Sequence, residues 1–328
     1  MNRQVTICIP LFNCEETISK TIDSLLNQSY EKIKIKIFDN RSTDKSGEIS
    51  KEYAEKYDHI EYYLNEENLG AEGNFTKCIL SAEGDYTAIF HSDDIYYQNI
   101  VKEQVEAFFD EDVVAVCTHA NEIDRHGNII GKRLIPDELS KSVNKIKKDN
   151  LRSLVFKYAN FITCPSVMVK SDVLRNKIRS WNIEEFGTSA DLDVWLRLNK
   201  LGSFIFLASP LMGYRVAEQS YSFRIAKTRI TRHDLFKVLD REEGLSKQEY
   251  KFKNFLEFKD VTLRTINIIR SKKHDVDLPV FRYRIISHFK ISFYSKWHMK
   301  IFIVGFIIYI SRPLLLRPIR KILGHILG

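Results

Sequence analysis

Over the first third of the 328-residue chain, short runs of β-forming residues alternate with longer segments that repeat apolar residues at helical spacing. The predicted strands span 4–10, 33–38, 60–64, 86–90 and 113–118, and the predicted helices span 15–27, 46–57, 71–82 and 99–109. Strands that alternate with helices of about ten to fifteen residues are typical of right-handed βαβ units. The predicted fold class is therefore α/β, with a mostly parallel sheet flanked by helices.

Beyond this region the pattern is less regular. The polar stretch 124–128 is predicted to be the turn of a β-hairpin, and the charged stretch 141–148 is predicted to be a mobile connection. A strand over 164–170 and an amphipathic helix over 190–201 follow. After Ser222 the chain is predicted to be entirely helical, which marks the start of an appended region.

Basic residues are concentrated at the C-terminal end of the chain. No Asp or Glu follows Asp277, whereas nine Lys and Arg residues do, so the formal charge of +7 divides into +9 for 278–328 and −2 for 1–277. A protein that is basic throughout would suggest nucleic acid as a partner. Here the larger part is nearly neutral and no nucleic-acid-binding module accompanies the charge, so we expect no nucleic acid partner.

The five cysteines match neither a disulfide framework nor a metal-binding pattern. They are Cys8, Cys14, Cys78, Cys117 and Cys164. Their number is odd, none forms a CxxC pair, and most lie in apolar runs, which is typical of buried thiols in a reducing compartment. Polar and proline residues interrupt the first apolar run, so no secretory signal is recognised there. We therefore expect a cytoplasmic protein.

Two adjacent carboxylates, Asp93 and Asp94, follow the predicted strand 86–90. Side chains at the C-terminal end of a parallel strand face the crevice in which α/β sheets bind ligands. Adjacent carboxylates repel each other unless a cation lies between them, and hard divalent cations such as Mn²⁺ or Mg²⁺ prefer oxygen ligands. The pair is therefore a candidate metal site that would hold phosphate oxygens. The alternative is that these residues cap the next helix.

Three other polar segments follow or flank predicted strands. The first supplies Pro10, Phe12, Asn13 and Glu16. It has no GxGxxG motif, which excludes a dinucleotide-binding dehydrogenase. The second ends the strand 33–38 with Asp39, whose carboxylate can accept a hydrogen bond from a nucleotide base, although the residues after it also suit a helix cap. The third begins a helix, where the backbone can approach a phosphate, and it supplies Asn68, Gly70 and Asn74.

Taken together, these segments resemble glycosyltransferase family 2, whose members are inverting enzymes of the GT-A fold. The resemblance covers residues 3–216, about two thirds of the chain. It rests on five blocks in a fixed order: VTICIPLFN, IKIFDNRSTD, ENLGAEGN, GDYTAIFHSDD and SADLDVWLRLNKLG. It implies a nucleotide-diphosphate sugar as the donor, a saccharide as the acceptor, and Mn²⁺ or Mg²⁺ as the cofactor.

The resemblance also implies a role for each candidate residue. The donor would be bound by Pro10, Phe12, Asn13, Glu16, Asp39, Asn68, Gly70 and Asn74. Asp93 would touch the ribose and, with Asp94, hold the metal on the diphosphate. Asp191, at the start of the predicted helix 190–201, would be the base that takes the proton of the acceptor hydroxyl. Its alternative role is to stabilise that helix N-terminus. Arg215 would either stabilise diphosphate charge or pair with a buried acid.

Three positions depart from the family pattern. His91 stands where many relatives carry the first carboxylate of the metal-binding element. Ala190 replaces a Glu that often precedes the base, and Ala217 stands where relatives often have a metal-binding His. The sequence is compatible with a neutral, hydrogen-bonded His91 and with a His91 that binds the metal. It is also compatible with a catalytically impaired relative that binds glycans or acts as a scaffold.

An apolar run over 301–310 with basic flanks distinguishes the C-terminal end. Ten consecutive apolar residues are too few to span a bilayer. The basic residues around it are Lys296, Lys300, Arg317, Arg320 and Lys321. This combination predicts that 296–328 lies on an anionic membrane surface, which would bring the protein to a lipid-linked acceptor. The alternative is an apolar helix that packs on the rest of the chain or on a second subunit of a homo-oligomer.

The predicted function is an inverting sugar transfer in the synthesis of a cell-envelope polysaccharide, such as a capsule or an O-antigen. The predicted catalytic domain is 1–222, with a nucleotide-binding half over about 1–118 and an acceptor half over about 119–222. The region 223–328 is predicted to be helical and basic, and to associate with the inner face of the cell membrane. A nucleotidyltransferase is disfavoured because 10–16 contains no basic residue.

Overall fold

The computed structural model of the chain describes residues 3–216, 228–270, 279, 291 and 296–311. The described residues divide into two compact units. The first holds 3–152 and 160–216, and the second holds 153–159 together with the described residues from 228 onward. The predicted boundary at Ser222, the position of Ala217 and the tail after Ser311 lie outside the described residues.

The first unit contains a ten-stranded sheet. Its strands are β1 (Val5–Leu11), β2 (Ile33–Asp39), β3 (Ile60–Leu64), β4 (Tyr86–Ile89), β5 (Ile95–Tyr96), β6 (Val113–Ile123), β7 (Ile129–Lys132), β8 (Val143–Ile146), β9 (Val167–Lys170) and β10 (Ser203–Arg215). Their order is β3-β2-β1-β4-β9-β6-β10-β5, and β7 pairs with β6 while β8 pairs with β10. A central sheet flanked by helices confirms the predicted α/β class.

The prediction that the chain is entirely helical after Ser222 is wrong for 229–234 and for 240–246, where Gly244 has a positive φ of 63°. In the first unit, the α-helices match the predicted segments 15–27, 46–57, 71–82, 99–109 and 190–201, and three more that were not predicted lie between 151 and 186. The described helices are α1 (Ile18–Leu26), α2 (Ser46–Lys56), α3 (Gly70–Leu80), α4 (Ile100–Glu106), α5 (Leu151–Tyr158), α6 (Ser171–Val173), α7 (Ile183–Phe186), α8 (Ala190–Asn199), α9 (Leu235–Leu239), α10 (Lys247–Arg270) and α11 (Lys296–Ser311). The first helix begins later than predicted because the Cys14 carbonyl accepts hydrogen bonds from the Thr17 and Ile18 amides, which forms a turn. No described helix is both long and apolar enough to cross a membrane.

The parallel half of the sheet is centred on β1. Val5, Ile7 and Ile9 are fully buried, as expected for a strand that is covered on both faces. Strand β1 pairs in parallel with β2 on one side and with β4 on the other. The chain runs outward from β1 to β2 and β3 and then returns to β4, so the strand order reverses between β1 and β4. Open α/β sheets bind their ligands in the crevice that such a reversal creates.

The other half of the sheet is mixed. Strand β9 pairs antiparallel with both β4 and β6, whereas β6 and β10 pair in parallel. The long strand β10 was not predicted because Pro210 lies inside it, and a proline within an apolar run argues against a continuous strand. The structure accommodates Pro210 with a shift of register on each side of it.

Two predictions for the connecting segments have opposite outcomes. The hairpin at 124–128 is confirmed, because β6 and β7 pair antiparallel on either side of it. The prediction of a mobile connection over 141–148 is wrong: Val143–Ile146 forms β8, which pairs antiparallel with β10. Lys145 anchors this strand through salt bridges to Asp110 (2.6 Å) and Asp112 (2.7 Å). The charged residues of this segment therefore stabilise the strand edge. The sequence prediction gave weight to these charges and missed that Asn144 and Ile146 are buried while their neighbours are exposed.

Candidate active site at the carboxyl edge of the sheet

The ends of β1, β2 and β4 form the floor of the candidate site. The Asn40 amide donates to the Leu11 carbonyl (2.8 Å), and the Phe90 amide donates to the Cys8 carbonyl (3.0 Å). These bonds continue the pairing with β1 one residue past the ends of β2 and β4, and β4 ends opposite Cys8, three residues before the end of β2 opposite Leu11. The loop after β1, Asp39 at the end of β2 and the carboxylate pair after β4 therefore lie along one edge, as the sequence predicted.

The loop after β1 is tied to the loop after β2. The Asn13 side-chain oxygen accepts a hydrogen bond from the Thr43 amide (2.8 Å), and Ser42 Oγ accepts one from the Asn13 amide (3.1 Å). Asn13 adopts a left-handed conformation (φ 50°), which an asparagine tolerates better than most residues. Phe12 is 45% exposed and Glu16 is also exposed, so both can contact a ligand, while Pro10 is partly buried in the strand.

Asp39 is buried and both of its carboxylate oxygens are positioned by the protein. Oδ1 accepts a hydrogen bond from the Ser42 amide (2.8 Å), and Oδ2 accepts one from the Tyr62 hydroxyl (2.7 Å). Burial, followed by the effect of Asp39, raises the pKa of Tyr62, which keeps this hydroxyl a donor. Gly47 leaves the room for this contact, since a Cβ there would lie 2.6 Å from Asp39 Oδ2.

An asparagine network supports the third predicted segment. Asn40 Nδ2 donates to Asn68 Oδ1 (2.8 Å), and Asn65 Nδ2 donates to the side-chain oxygens of Asn40 and Asn74 (3.1 Å each). Asn74 in turn donates to the Phe38 carbonyl (2.9 Å), so its buried amide is already engaged with the protein. Gly70 has a φ of 68°, a conformation that favours glycine, and open space surrounds it. The network fixes this helix start beside β2.

The carboxylate pair after β4 is asymmetric. Asp94 is 1% exposed, and its Oδ1 accepts a hydrogen bond from the Arg215 amide (2.8 Å). Its Oδ2 is also buried but has no hydrogen-bond partner among the described residues. Burial and, second, the neighbouring Asp93 raise the pKa of Asp94 well above its usual range. A cation at this oxygen would satisfy it and stabilise the charged form, so the donor set fits a divalent metal.

His91 precedes this pair, and its ring makes no hydrogen bond to a described residue. Nδ1 lies 4.0 Å from Asp94 Oδ2, and Nε2 is buried without a partner although 26% of the side chain is exposed. Burial lowers the pKa of His91, against an opposing effect of Asp93. The ring packs edge-on against Phe75, with centroids 5.6 Å apart. The structure thus favours neutral His91, but not the hydrogen-bonded arrangement that the sequence allowed.

Arg215 is buried, and its guanidinium donates hydrogen bonds to backbone carbonyls near the carboxylate pair. Its Nε donates to the Asp93 carbonyl and its Nη1 to the Asp124 carbonyl, each at 2.6 Å. The guanidinium therefore does not form the buried pair with an acid that was one of its two predicted roles. Nη2 is buried and has no partner within the described part of the chain. Arg215 positions the loop that carries the carboxylate pair, and its Nη2 remains available to a ligand.

Asp191 lies in the first turn of α8. Its Oδ2 accepts a hydrogen bond from Asn160 Nδ2 (2.8 Å), and its Oδ1 accepts one from the Leu192 amide (2.8 Å). Burial raises the pKa of Asp191 to about 6, despite these two hydrogen bonds. The next acid in the helix, Asp193, forms a salt bridge with Arg197 (2.8 Å). The two acids therefore have different environments, and Asp191 has the properties of a general base at neutral pH.

Two features connect Asp191 with the carboxylate pair. The thiol of Cys164 has a pKa raised mainly by burial and further by both Asp191 and Asp94, which places it near both carboxylates. A row of aromatic rings also runs from His91 to the helix of Asp191. Its members are Phe75, Trp181 (4.8 Å between centroids) and Trp195 (6.0 Å from Trp181). The sequence did not identify Asn160, Cys164 or Trp181, because no local pattern links them to the site.

Comparisons with known proteins identify the family of the chain. Residues 6–181 match the family model "Glycosyl transferase family 2". The putative glycosyltransferase EpsE of Bacillus subtilis is 25% identical over 223 residues, which are 67% of this chain and 73% of that protein. The putative teichuronic acid biosynthesis glycosyltransferase TuaG of the same organism is 27% identical over 220 residues, 66% of this chain and 81% of its own.

Solved structures share the fold. Residues 1–349 of S. aureus TarS in complex with UDP align with a TM-score of 0.58 at 12% identity, covering 94% of this chain and 91% of that one. The mannosyltransferase PcManGT of Pyrobaculum calidifontis, in complex with GDP-Man and Mn²⁺, aligns with a TM-score of 0.57 at 13% identity. The alignment covers 94% of this chain and 87% of that one. These neighbours have the GT-A fold. With a family model that matches more than half of its length, the chain belongs to glycosyltransferase family 2.

Proposed function

We propose that the protein transfers a sugar from a nucleotide-diphosphate donor to an acceptor hydroxyl with inversion at the anomeric carbon. The observation that carries this proposal is the pairing of two different carboxylate environments. Asp191 has a raised pKa of about 6 beside Asn160, and the Asp93–Asp94 pair presents an unsatisfied buried oxygen. A sugar transfer needs one carboxylate that takes a proton and another group that stabilises the charge of the leaving diphosphate. Carboxylates in two different environments can supply these two functions.

In the proposed reaction, the carboxylate of Asp191 accepts the proton of the acceptor hydroxyl. The hydroxyl oxygen then forms a bond to the anomeric carbon as the bond from that carbon to the diphosphate oxygen breaks. The electron pair of the broken bond leaves with the nucleoside diphosphate. Because attack comes from the face opposite the leaving group, the anomeric configuration inverts. Asn160 keeps Asp191 oriented through its 2.8 Å hydrogen bond.

The donor would lie along the carboxyl edge of the sheet. The base and ribose would contact the loop of Phe12 and Asn13 together with Asp39, and the diphosphate would lie near Asp93 and Asp94. A divalent cation, Mn²⁺ or Mg²⁺, would be held by Asp93 and Asp94 and would supply Lewis-acid stabilisation of the leaving diphosphate. Gly70 and the free donor of Arg215 are further candidates for phosphate contacts.

Gly47→Ala is expected to raise the KM for the donor by about tenfold or more. The added methyl group would overlap Asp39 Oδ2 and the Tyr62 hydroxyl, and overpacking of this kind costs roughly 1–3 kcal/mol. Steady-state kinetics with varied donor would measure the change. Tyr62→Phe removes the hydrogen bond to Asp39 without adding volume, so it should have a smaller effect in the same direction. Unchanged donor kinetics in both variants would contradict a role for Asp39 in donor binding.

The acceptor is proposed to be a saccharide of a cell-envelope polymer, carried on a lipid. Support comes from the names of relatives: TuaG is named for teichuronic acid biosynthesis, and the minor teichoic acid biosynthesis protein GgaB of Bacillus subtilis is 26% identical over 296 residues. That match covers 88% of this chain but 29% of GgaB. The test is to supply purified protein with Mn²⁺, nucleotide-sugars and lipid-linked saccharides, and to measure nucleoside diphosphate release with the anomeric configuration of the product. A retained configuration, or release that does not depend on acceptor, would contradict the proposal.

Association with an anionic membrane surface is proposed for α11. Within the second unit, this helix packs closely on α10 at Gly305, where a Cβ would lie 2.1 Å from the Phe258 ring. Elsewhere on the helix, Ile303 is 50% exposed, Val304 44% and Phe306 42%, and Lys300 is exposed beside them. Exposed apolar side chains next to lysine are typical of a helix that lies in the headgroup region of a bilayer.

Ile303→Glu is expected to weaken binding to phosphatidylglycerol-containing vesicles by about tenfold or more. Burying an isoleucine side chain contributes roughly 1.5–3 kcal/mol, and the new charge would oppose insertion. Leu263→Glu is the matched control, because Leu263 is 40% exposed on α10 of the same unit. Cosedimentation with vesicles measures both. Equal binding by the two variants and the unaltered protein would refute the assignment of α11 as the membrane contact.

A further inference from the structure

We propose that His91 is a third ligand of the divalent cation, so that the metal site is formed by one imidazole and two carboxylates. This inference rests on the proposed function for the presence of the cation. The expected consequence is a preference for Mn²⁺ over Mg²⁺ that an all-oxygen site would not have. Imidazole suits transition metals, whereas Mg²⁺ is bound almost entirely through oxygen.

The distances within the cluster suit metal ligands. One potential ligand atom from each of His91, Asp93 and Asp94 lies within 4.8 Å of the other two. The closest imidazole approach is that of Nδ1 to Asp94 Oδ2, at 4.0 Å. With metal–ligand bonds of about 2.0–2.3 Å, neighbouring ligand atoms lie roughly 3 Å apart and opposite ones roughly 4–5 Å apart. The three side chains are thus already at coordinating separations.

The atoms of this cluster that lack hydrogen-bond partners also favour a bound cation. Asp94 Oδ2 is buried without a partner, and neither ring nitrogen of His91 is hydrogen-bonded to a described residue. A buried polar atom without a partner is unfavourable, so its persistence calls for an explanation such as an ion. A metal between these side chains would satisfy an imidazole nitrogen and a carboxylate oxygen together.

A backbone hydrogen bond and aromatic packing hold the imidazole of His91 in place. The His91 amide donates to the Tyr96 hydroxyl (2.7 Å), and Tyr96 stacks on Phe90 with ring centroids 3.9 Å apart. Phe75 packs edge-on against the imidazole. These contacts fix the backbone and ring of His91 next to Asp93 and Asp94, and they leave the ring nitrogens available to a ligand. A pre-positioned ligand of this kind is what a specific metal site needs.

Pulsed electron paramagnetic resonance of the full chain with Mn²⁺ alone tests the inference directly. The unaltered protein should show ¹⁴N modulation from a coordinated imidazole, and His91→Gln and His91→Asp should both lose it. His126→Gln, which removes an exposed imidazole in the same unit, should keep it. In competition titrations, the ratio of Mn²⁺ to Mg²⁺ affinity should fall at least tenfold in His91→Asp. Melting temperatures close to that of the unaltered protein would establish that the variants fold.

Absence of ¹⁴N modulation in the unaltered protein, or its survival in His91→Gln, would overturn the inference. An unchanged metal preference in His91→Asp would do the same. If sugar transfer is nevertheless observed, only the ligand assignment fails and the proposed function stands. If ¹⁴N modulation behaves as expected but no donor is turned over, the ligand assignment stands and the proposed function fails. Failure to bind Mn²⁺ at all would remove both.

Discussion

Asp191→Asn is expected to reduce the turnover number by about 10²–10⁴-fold, the contribution typical of a general base, and to leave donor affinity within about twofold. The variant keeps one side-chain oxygen, which can accept the hydrogen bond of either Asn160 or the Leu192 amide, and it cannot take a proton. Steady-state turnover and nucleotide binding by calorimetry measure the two effects separately. Asp193→Asn is the matched control, because it removes the neighbouring carboxylate, which pairs with Arg197, and should keep most of the activity.

The pH dependence of the reaction gives a second readout of the same residue. Because the pKa of Asp191 is about 6, kcat/KM should rise as pH increases towards 6 and level off above it, where the carboxylate is ionised. The Asp193→Asn control should keep this profile. If Asp191→Asn lost donor binding together with turnover, a structural role for Asp191 would be indicated instead.

Stability should change in the direction opposite to activity. The folded pKa of Asp191, about 6, is above the unfolded value of 3.8, so the folded state holds its proton more tightly. The free energy of unfolding is therefore lowered as pH rises from about 4 to about 6, by at most roughly 3 kcal/mol. Asp191→Asn has no titrating group at this position, so its free energy of unfolding should decline less between pH 4 and pH 6 than that of the unaltered protein. An equal decline in the two proteins, measured by denaturant unfolding at both pH values, would contradict the assigned environment of the carboxylate.

Asp94→Asn is expected to abolish metal-dependent donor binding without unfolding the protein. The asparagine oxygen can still accept the hydrogen bond of the Arg215 amide, but an uncharged NH2 group would replace Oδ2, the oxygen that we propose as the metal ligand. Asp94→Ala should bind metal no better and should also lose about 1–3 kcal/mol of stability, because the Arg215 amide would be left buried and unpaired. The measurements are Mn²⁺ titrations and denaturant unfolding.

Glu55→Gln is the control for the loss of one negative charge, since Glu55 is exposed and far along the helix α2 from the strand ends. It should leave metal binding unchanged. An Asp94→Asn variant that retains metal-dependent donor binding would show that the cation is held elsewhere.

Sequence patterns predicted the structure best where the pattern of a segment also determines its place in the fold. Strands β1, β2 and β4 are apolar runs that end in polar residues, so both their existence and the position of Asp39, Asp93 and Asp94 could be inferred from spacing alone. The patterns were least informative where tertiary contacts override composition. Strand β8 carries Lys145, whose charge suggested a surface connection until its partners Asp110 and Asp112 were known.

The environment of the proposed base also required the structure. The helix start at Asp191 was recognisable from its block of residues, but its pKa is raised by burial, and the carboxylate is oriented by Asn160, which lies in another segment of the chain. Likewise, the guanidinium of Arg215 binds backbone carbonyls, which carry no sequence signature. Contacts between segments distant in sequence therefore account for most of what sequence reasoning missed.

The most direct test of the proposed donor site is a thermal-shift comparison of UDP-, GDP-, dTDP- and CMP-sugars, each with and without Mn²⁺. The donor site described here should give a metal-dependent stabilisation by one class of nucleotide-diphosphate sugar, about 2.7 kcal/mol at one hundred times its Kd. Asp39→Asn and Asp93→Asn should each reduce that stabilisation. No stabilisation by any of these compounds, or an equal one without Mn²⁺, would contradict a metal-dependent donor site at the carboxyl edge of this sheet.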